Sequence, residues 1–312
     1  MKEIEALFTV PFDSGFIGRV NALGYCVSFI PEESLTAADL KFPFEVLVCF
    51  NPFQDKPRGC FDSVRWIQLV SRAVSHVPEY LRERKSLRIT DNEGATSIPI
   101  AESVICYLLQ IFRKTRAFDR KQRNSVWELD TDVQEIFGKK IGILGTGNIA
   151  QETAKRLKVF GASVSGVNRS GQNPSAFFDD VAAIGDGEAL HSLYGACDVI
   201  ISTLPETEET FHMLNESAFA VMKKEVVLIN VSRGHIIDEK ALVYRLSRGF
   251  FRGVALDVFE EEPLPGSSPL WHTDRVIITP HNAFYSNLYQ DRISDVVYEN
   301  CRRYAEKRAE NC

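Results

Sequence analysis

Lys140-Ile141-Gly142-Ile143-Leu144-Gly145-Thr146-Gly147-Asn148-Ile149-Ala150 is the stretch from which the architecture can be read. Up to Leu144 it is a short apolar run bounded by glycine, the pattern of a buried strand. Beyond it Ala154, Leu157 and Phe160 keep a helical spacing. A Gly-x-Gly-x-x-Ala turn between strand and helix is the fingerprint of a dinucleotide site. Gly145 permits the tight turn, Gly147 lets the backbone approach a pyrophosphate, and the small Ala150 lets helix and strand pack closely. The N–H groups that open the helix, beginning with Asn148 and Ile149, then face the phosphates. The bland alternative is a glycine turn that binds nothing.

On both sides of this turn short apolar runs alternate with helical patterns, which predicts α/β layers around parallel sheets. Before it, strands are expected at 6–10, 25–30, 46–49, 67–69 and 87–90, with helical pieces at 15–23 and 78–83. An apolar helical run at 103–111 follows, opened by Ile98-Pro99-Ile100-Ala101-Glu102. Residues 119–137 are polar, with Trp127 isolated among them, and read as an arm or linker. After the turn, strands are expected at 163–167, 199–203, 226–231, 254–257 and 276–279. A last helix at 287–307 carries Leu288, Ile293, Val296, Val297 and Tyr304 on a helical period.

A chain of 312 residues predicts about two domains. Its 45% hydrophobic and 25% charged residues are ordinary for a globular protein and exclude disorder or coiled coil as the main architecture. A net charge of −6 argues against a nucleic-acid partner and against docking on an anionic membrane. No run approaches the ~18 apolar residues of a membrane span, and the opening Met1-Lys2-Glu3-Ile4-Glu5 does not read as a secretory signal. Seven scattered cysteines without a Cys-x-x-Cys pair suit reduced thiols in the cytoplasm. Neither they nor the histidines cluster at metal-ligand spacing, so no metal is expected.

Which dinucleotide is favoured turns on the strand end after the helix. An NAD site places an acid there, about 20 residues past the turn, to bond the ribose 2′-hydroxyl. Strand 163–167 ends instead in Asn168-Arg169-Ser170, and no acid occurs between Glu152 and Asp179. Arg169 can pair with a 2′-phosphate, helped by the Ser170 hydroxyl and the Asn168 amide. The competing reading is a solvated arginine. The residues therefore favour NADP(H) without excluding NAD(H).

Three later strand ends carry polar groups: Asn230-Val231-Ser232-Arg233-Gly234, Leu256-Asp257-Val258-Phe259-Glu260-Glu261-Glu262-Pro263-Leu264 and Thr279-Pro280-His281-Asn282-Ala283. Open α/β sheets bind ligands at such carboxyl edges. Singly, Arg233 and His281 read as surface residues and Glu260–Glu262 as a solvated acidic run. As an ordered set with the phosphate turn they read otherwise. With Pro99-x-Ala101-Glu102 and Asp198 ahead of Leu204-Pro205, the chain resembles the D-isomer-specific 2-hydroxyacid dehydrogenase family over nearly its whole length.

The resemblance implies a catalytic arginine, glutamate and histidine at Arg233, Glu262 and His281. Arg233 offers a planar fork that holds the carboxylate of a 2-oxoacid and polarises its carbonyl. His281 protonates the carbonyl oxygen as hydride arrives; Glu262 holds the ring and opposes the imidazolium charge. Reduction needs His281 charged and oxidation needs it neutral. By the same resemblance Asp257 bonds the nicotinamide carboxamide, Thr203, Pro205, Val231 and Ser232 line the cofactor, and Ser97 lies near its phosphates. The loop Ser71-Arg72-Ala73-Val74-Ser75-His76 offers the Ala73 and Val74 N–H groups to the substrate carboxylate, with alanine where the family often has glycine. Arg72 is an unusual charge there and favours an acidic substrate. Phe284 and Tyr285 either shape the pocket or pack a hinge. His76, His191, His212 and His235 are expected to be structural or surface residues, and Trp271-His272 to pack the loop below the catalytic histidine.

The expected fold is therefore α/β, with two Rossmann-like domains, doubly wound parallel sheets and a discontinuous substrate domain. Residues 1–101 plus 286–312 would bind substrate and 102–285 the dinucleotide, with a homodimer built on the latter through the arm around Trp127. The function implied is an NAD(P)-dependent reductase of a small 2-oxoacid such as glyoxylate or hydroxypyruvate. A phosphoglycerate dehydrogenase is less favoured, because little chain follows Lys307. The alternative class is that of the C-terminal-binding corepressors, nucleotide-sensing interaction proteins of the same fold.

Overall fold

The apolar runs assemble into two separate parallel sheets in a computed structural model that describes residues 3–72, 74 and 76–310. The chain divides into two units, one of residues 1–95 with 287–312 and one of residues 96–286.

In the first unit β1 (Ile4–Phe8), α1 (Ser14–Asn21), β2 (Tyr25–Phe29), β3 (Val46–Cys49), β4 (Trp66–Leu69), α2 (Glu79–Arg82) and β5 (Arg88–Thr90) follow one another. The sheet order is β2-β1-β3-β4-β5, all parallel. Side chains alternate between faces with the strand period of two. Ile4, Ala6, Phe8, Val46, Val48 and Trp66 pack with Phe16 and Val20 of α1 and with Ile293, Val297 and Cys301 of the last helix. Leu7, Leu47, Cys49, Ile67 and Leu69 pack on the other face with Phe53, Phe61 and Leu81. Burial on both faces is why these strands read as continuous apolar runs. Polar contacts pin the last helix to this sheet. The Tyr25 hydroxyl donates to the Cys301 carbonyl at 2.8 Å, and the Tyr304 hydroxyl to Glu45 Oε1 at 2.7 Å.

The second unit opens with α3 (Ser97–Phe112) and α4 (Thr115–Arg123). It continues through β6 (Lys140–Leu144), α5 (Asn148–Val159), β7 (Ser163–Asn168), β8 (Asp180–Ala183), α6 (Gly187–Ala196) and β9 (Val199–Ser202). It ends with α7 (Glu216–Val221), β10 (Val227–Asn230), α8 (Glu239–Ser247), β11 (Gly253–Leu256) and β12 (Val276–Ile278); the last helix of the chain is α9 (Tyr289–Glu310). The sheet order β12-β11-β10-β9-β6-β7-β8 is the doubly wound dinucleotide-binding order with one further strand at its edge. The order reverses between β6 and β9, which places a switch point beside the Gly145 turn. The first unit has the flavodoxin-like variant of the same doubly wound principle, reversing between β1 and β3.

Several boundaries differ from expectation for identifiable reasons. Strand β8 was not expected: Asp-Val-Ala-Ala at a half-exposed sheet edge has no long apolar run and only Val181 as a strong β-former. Part of the presumed arm is helical, because the polar α4 has no apolar stripe for a periodicity argument to find. Helix α3 begins at Ser97 rather than Ser103, with Pro99 in the first turn, where a missing N–H costs nothing. The units accordingly part ahead of α3, at residues 95 and 96, and not inside it at 101 and 102.

Candidate active site

Gly145 turns the chain out of β6 at φ +100°, and a Cβ there would stand 2.6 Å from Thr203 Oγ1. Thr203 donates from its amide and hydroxyl to the Leu144 carbonyl at 2.9 and 3.0 Å, locking this turn to the end of β9. Gly147 is the N-cap of α5, which has no side-chain cap. A Cβ on Gly147 would meet open space. An uncapped helix N-terminus beneath open space is the cradle a pyrophosphate fits. Asn148 and Ile149 open that helix. Ser97 begins α3, which packs along α5, and is buried.

At the end of β7 the Asn168 amide is already engaged. Its Nδ2 donates to Thr146 Oγ1 at 2.9 Å and to the Gln172 carbonyl at 2.8 Å. Its Oδ1 accepts from the amides of Ser170 and Gly171 at 3.0 and 2.7 Å and from the Ser170 hydroxyl at 3.2 Å. Asn168 therefore shapes this turn and ties it to the phosphate turn, and it is not the extra phosphate donor that the sequence suggested. Arg169 is exposed and forms no ion pair among the described residues.

The carboxyl ends of β9 and β10 share a buried polar network. Ser202 Oγ and Ser232 Oγ lie 2.8 Å apart, Ser232 donates to Asn230 Oδ1 at 2.7 Å, and Asn230 Nδ2 donates to the Arg233 carbonyl at 2.9 Å. This network fixes the backbone that carries Arg233. The guanidinium donates to the Ser232 carbonyl at 2.6 Å and pairs with no carboxylate among the described residues, so most of its fork is available. A Cβ on Gly234 would lie 1.9 Å from the Phe259 carbonyl, so the arginine turn rests directly on the loop that carries Glu262. Val231 is buried beside this network, and the Pro205 carbonyl accepts from Thr210 Oγ1 at 2.8 Å.

His281 Nδ1 lies 2.8 Å from Glu262 Oε2, and the two side chains are 44% and 36% exposed. Glu262 Oε1 accepts from the Phe259 amide at 3.1 Å, which orients the carboxylate. The Phe284 ring stands edge-on to the imidazole, centroids 6.1 Å apart, and Tyr285 stands edge-on to Phe284. Asp257, almost wholly buried, holds the histidine turn. Its Oδ1 accepts from Thr279 Oγ1 at 2.6 Å and from the Asn282 and Ala283 amides at 2.8 and 3.1 Å. Among the described residues Oδ2 accepts only from Ala283, at 3.1 Å, and is the oxygen with capacity for a carboxamide.

Sequence reasoning missed the contact between the Tyr107 and Thr279 hydroxyls, which lie 2.8 Å apart and 172 residues apart in sequence, and the local contacts by which Asn230 holds Ser232 and Arg233. Of the histidines set aside, His212 Nε2 lies 2.8 Å from Glu260 and His235 Nδ1 3.4 Å from Glu206. In the first unit Val74 is exposed, and Ala73 and Ser75 lie outside the described residues. Arg72 pairs with Asp91 at 2.7 Å and Glu93 at 3.5 Å. Its charge is thus already matched, which removes the reason to expect an acidic substrate from it.

A doubly wound sheet with an open phosphate turn, an available arginine fork and a histidine–carboxylate pair on adjacent strand ends defines a dinucleotide-dependent oxidoreductase. Residues 105–283 match the family described as D-isomer specific 2-hydroxyacid dehydrogenase, NAD binding domain. A glyoxylate/hydroxypyruvate reductase of Arabidopsis thaliana, HPR3, is 29% identical over 82% of this chain and 78% of its own length. A D-isomer specific 2-hydroxyacid dehydrogenase family protein from Aeromonas salmonicida superposes with a TM-score of 0.81 at 28% identity, over 98% of this chain and 97% of that one. Another from Xanthobacter autotrophicus, solved with NADPH and MES, gives 0.75 at 26% identity over 98% and 95%. The chain belongs to the D-isomer specific 2-hydroxyacid dehydrogenase family. It is a nicotinamide-dependent oxidoreductase of 2-oxoacids and D-2-hydroxyacids, and the corepressor alternative finds no support among these relatives.

Proposed function

We propose that the chain reduces a small 2-oxoacid of the glyoxylate or hydroxypyruvate kind, with NADPH as the preferred reductant and Arg233, Glu262 and His281 as its catalytic group. The observation that carries this reading is the 2.8 Å contact between His281 Nδ1 and Glu262 Oε2. It fixes the ring through one nitrogen and leaves Nε2 for proton exchange. Residues 145–149 hold the pyrophosphate, with Thr203, Pro205, Val231 and Ser232 along the cofactor and Asp257 at its carboxamide. Bound there, the nicotinamide ring supplies hydride. Arg233 holds the substrate carboxylate and polarises the carbonyl; His281 delivers the proton to the carbonyl oxygen. The free cysteines of the described residues suit a reducing cytoplasm.

NADPH preference rests on Arg169 and on the missing acid at the end of β7. A carboxylate there would repel a 2′-phosphate; here the repulsion is absent and a guanidinium with no ion pair among the described residues is present. A charge-assisted contact contributes roughly 1.5–3 kcal/mol, about 10- to 150-fold in affinity. Arg169→Ala is therefore expected to weaken NADPH by that factor and leave NADH nearly unchanged, measured by cofactor titration. Equal losses for both, or a wild-type preference for NADH, would refute the NADPH assignment.

A homodimer accounts for the arm. Ion pairs of Lys114 with Asp130 and Asp132 at 3.0 and 2.9 Å, and of Lys121 with Glu128 at 3.1 Å, hold the arm in place. Yet Trp127 is wholly exposed and Leu129 is 89% exposed. Rigidly presented aromatic and aliphatic side chains of this kind are what interface cores are made of. Sedimentation of the wild type should give twice the chain mass, and Trp127→Ala with Leu129→Ser should give monomer. A monomeric wild type at micromolar concentration would end this reading.

A further inference from the structure

We infer that Tyr107 is a positioning residue for His281, acting from helix α3 through a hydrogen-bonded chain that runs from the buried Tyr107 through the half-buried Thr279 to the buried Asp257. The inference rests on the reading of His281 as the proton donor.

His281 sits at φ +49°, in the left-handed region. A residue with a Cβ is unfavourable there and stays only where its surroundings over-determine the backbone. From the sheet, the Asp257 carbonyl accepts from the His281 amide at 2.8 Å, and Asp257 Oδ1 accepts from the next two amides. From the helix, Ser103 Oγ donates to the Ala283 carbonyl at 3.4 Å, and Tyr107 OH lies 2.8 Å from Thr279 Oγ1. The histidine turn is therefore held from two sides, and Thr279 joins them.

The direction of the chain follows from counting hydrogens. Thr279 Oγ1 has one hydrogen and lies 2.6 Å from Asp257 Oδ1, an oxygen already accepting from two amides. Thr279 therefore donates to Asp257, and Tyr107 donates to Thr279. Tyr107 is 5% exposed, and burial raises its pKa above the ordinary phenol value, so it remains a donor. Each donor polarises the next, and the chain ends on the carboxylate that grips the histidine turn. The Tyr107 ring would pack equally well without its hydroxyl; the hydroxyl is the part that reaches the site.

The test is a double-mutant cycle on the full-length enzyme, with kcat and KM for hydroxypyruvate and the Kd of NADPH measured for each variant. Tyr107→Phe keeps the ring and should lower kcat about tenfold, with KM and Kd within about twofold, as loss of alignment does. Thr279→Val should lose at least as much, Thr279→Ser should restore activity, and adding Tyr107→Phe to Thr279→Val should change nothing further. A wild-type kcat in Tyr107→Phe, losses that multiply in the double variant, or a Thr279→Ser no better than Thr279→Val would each overturn the inference. His281→Ala separates it from the reading beneath it. Activity retained in His281→Ala would refute His281 as the donor. An inactive His281→Ala beside a fully active Tyr107→Phe would refute only the role of Tyr107.

Discussion

Arg233→Ala is expected to lower kcat/KM for a 2-oxoacid by about 10²–10³-fold, the loss that follows removal of one preorganised donor at a developing oxyanion. Arg233 pairs with no carboxylate among the described residues, and its backbone is set by Asn230, Ser202 and Ser232. The substitution should therefore leave the turn in place and remove only the fork. Arg233→Lys should recover little, because an ammonium keeps the charge but cannot make two parallel bonds to a carboxylate. The Kd of NADPH should not change, since the phosphate turn at residues 145–149 is built independently. Steady-state kinetics with a cofactor titration read both quantities. A kcat/KM within tenfold of wild type would remove Arg233 from the substrate site.

His281→Ala is expected to lower kcat by about 10²–10⁴-fold, the range for loss of a positioned general acid. Asp257, Thr279 and α3 hold the turn by contacts that do not involve the imidazole, so cofactor binding should survive. Glu262→Gln should fall between wild type and His281→Ala. An amide still orients Nδ1 but no longer opposes the imidazolium charge. If Glu262→Gln and His281→Ala both retained wild-type kcat, the pair would have no part in proton transfer.

The elements written contiguously were legible in the sequence. The phosphate turn occupies one strand, one turn and the start of one helix, and each part carries its own signal. The strands buried on both faces were legible for the same reason. Strand β8 and helix α4 were not, because a half-exposed edge and a helix of polar residues leave no apolar pattern. At the site, the segments around Arg233, Glu262 and His281 were read as strand ends, and they follow β10, β11 and β12. What holds them there was hidden. Tyr107 lies in an apolar run and looks like core until its hydroxyl finds Thr279, a partner that only the packing of α3 on the sheet supplies. Arg72 looked like a free charge because Asp91 reaches it from the end of the neighbouring strand. Asn168 looked like a ligand donor because its bonds to Thr146 and Gln172 belong to the folded turn.

The most direct test is to mix NADPH-loaded enzyme with hydroxypyruvate and determine both the extent and the handedness of the product. The wild type should oxidise one cofactor per substrate reduced and give only the D-2-hydroxyacid, and His281→Ala should bind NADPH as tightly yet form almost none. An L product, no turnover by the wild type, or wild-type turnover by His281→Ala would contradict the account.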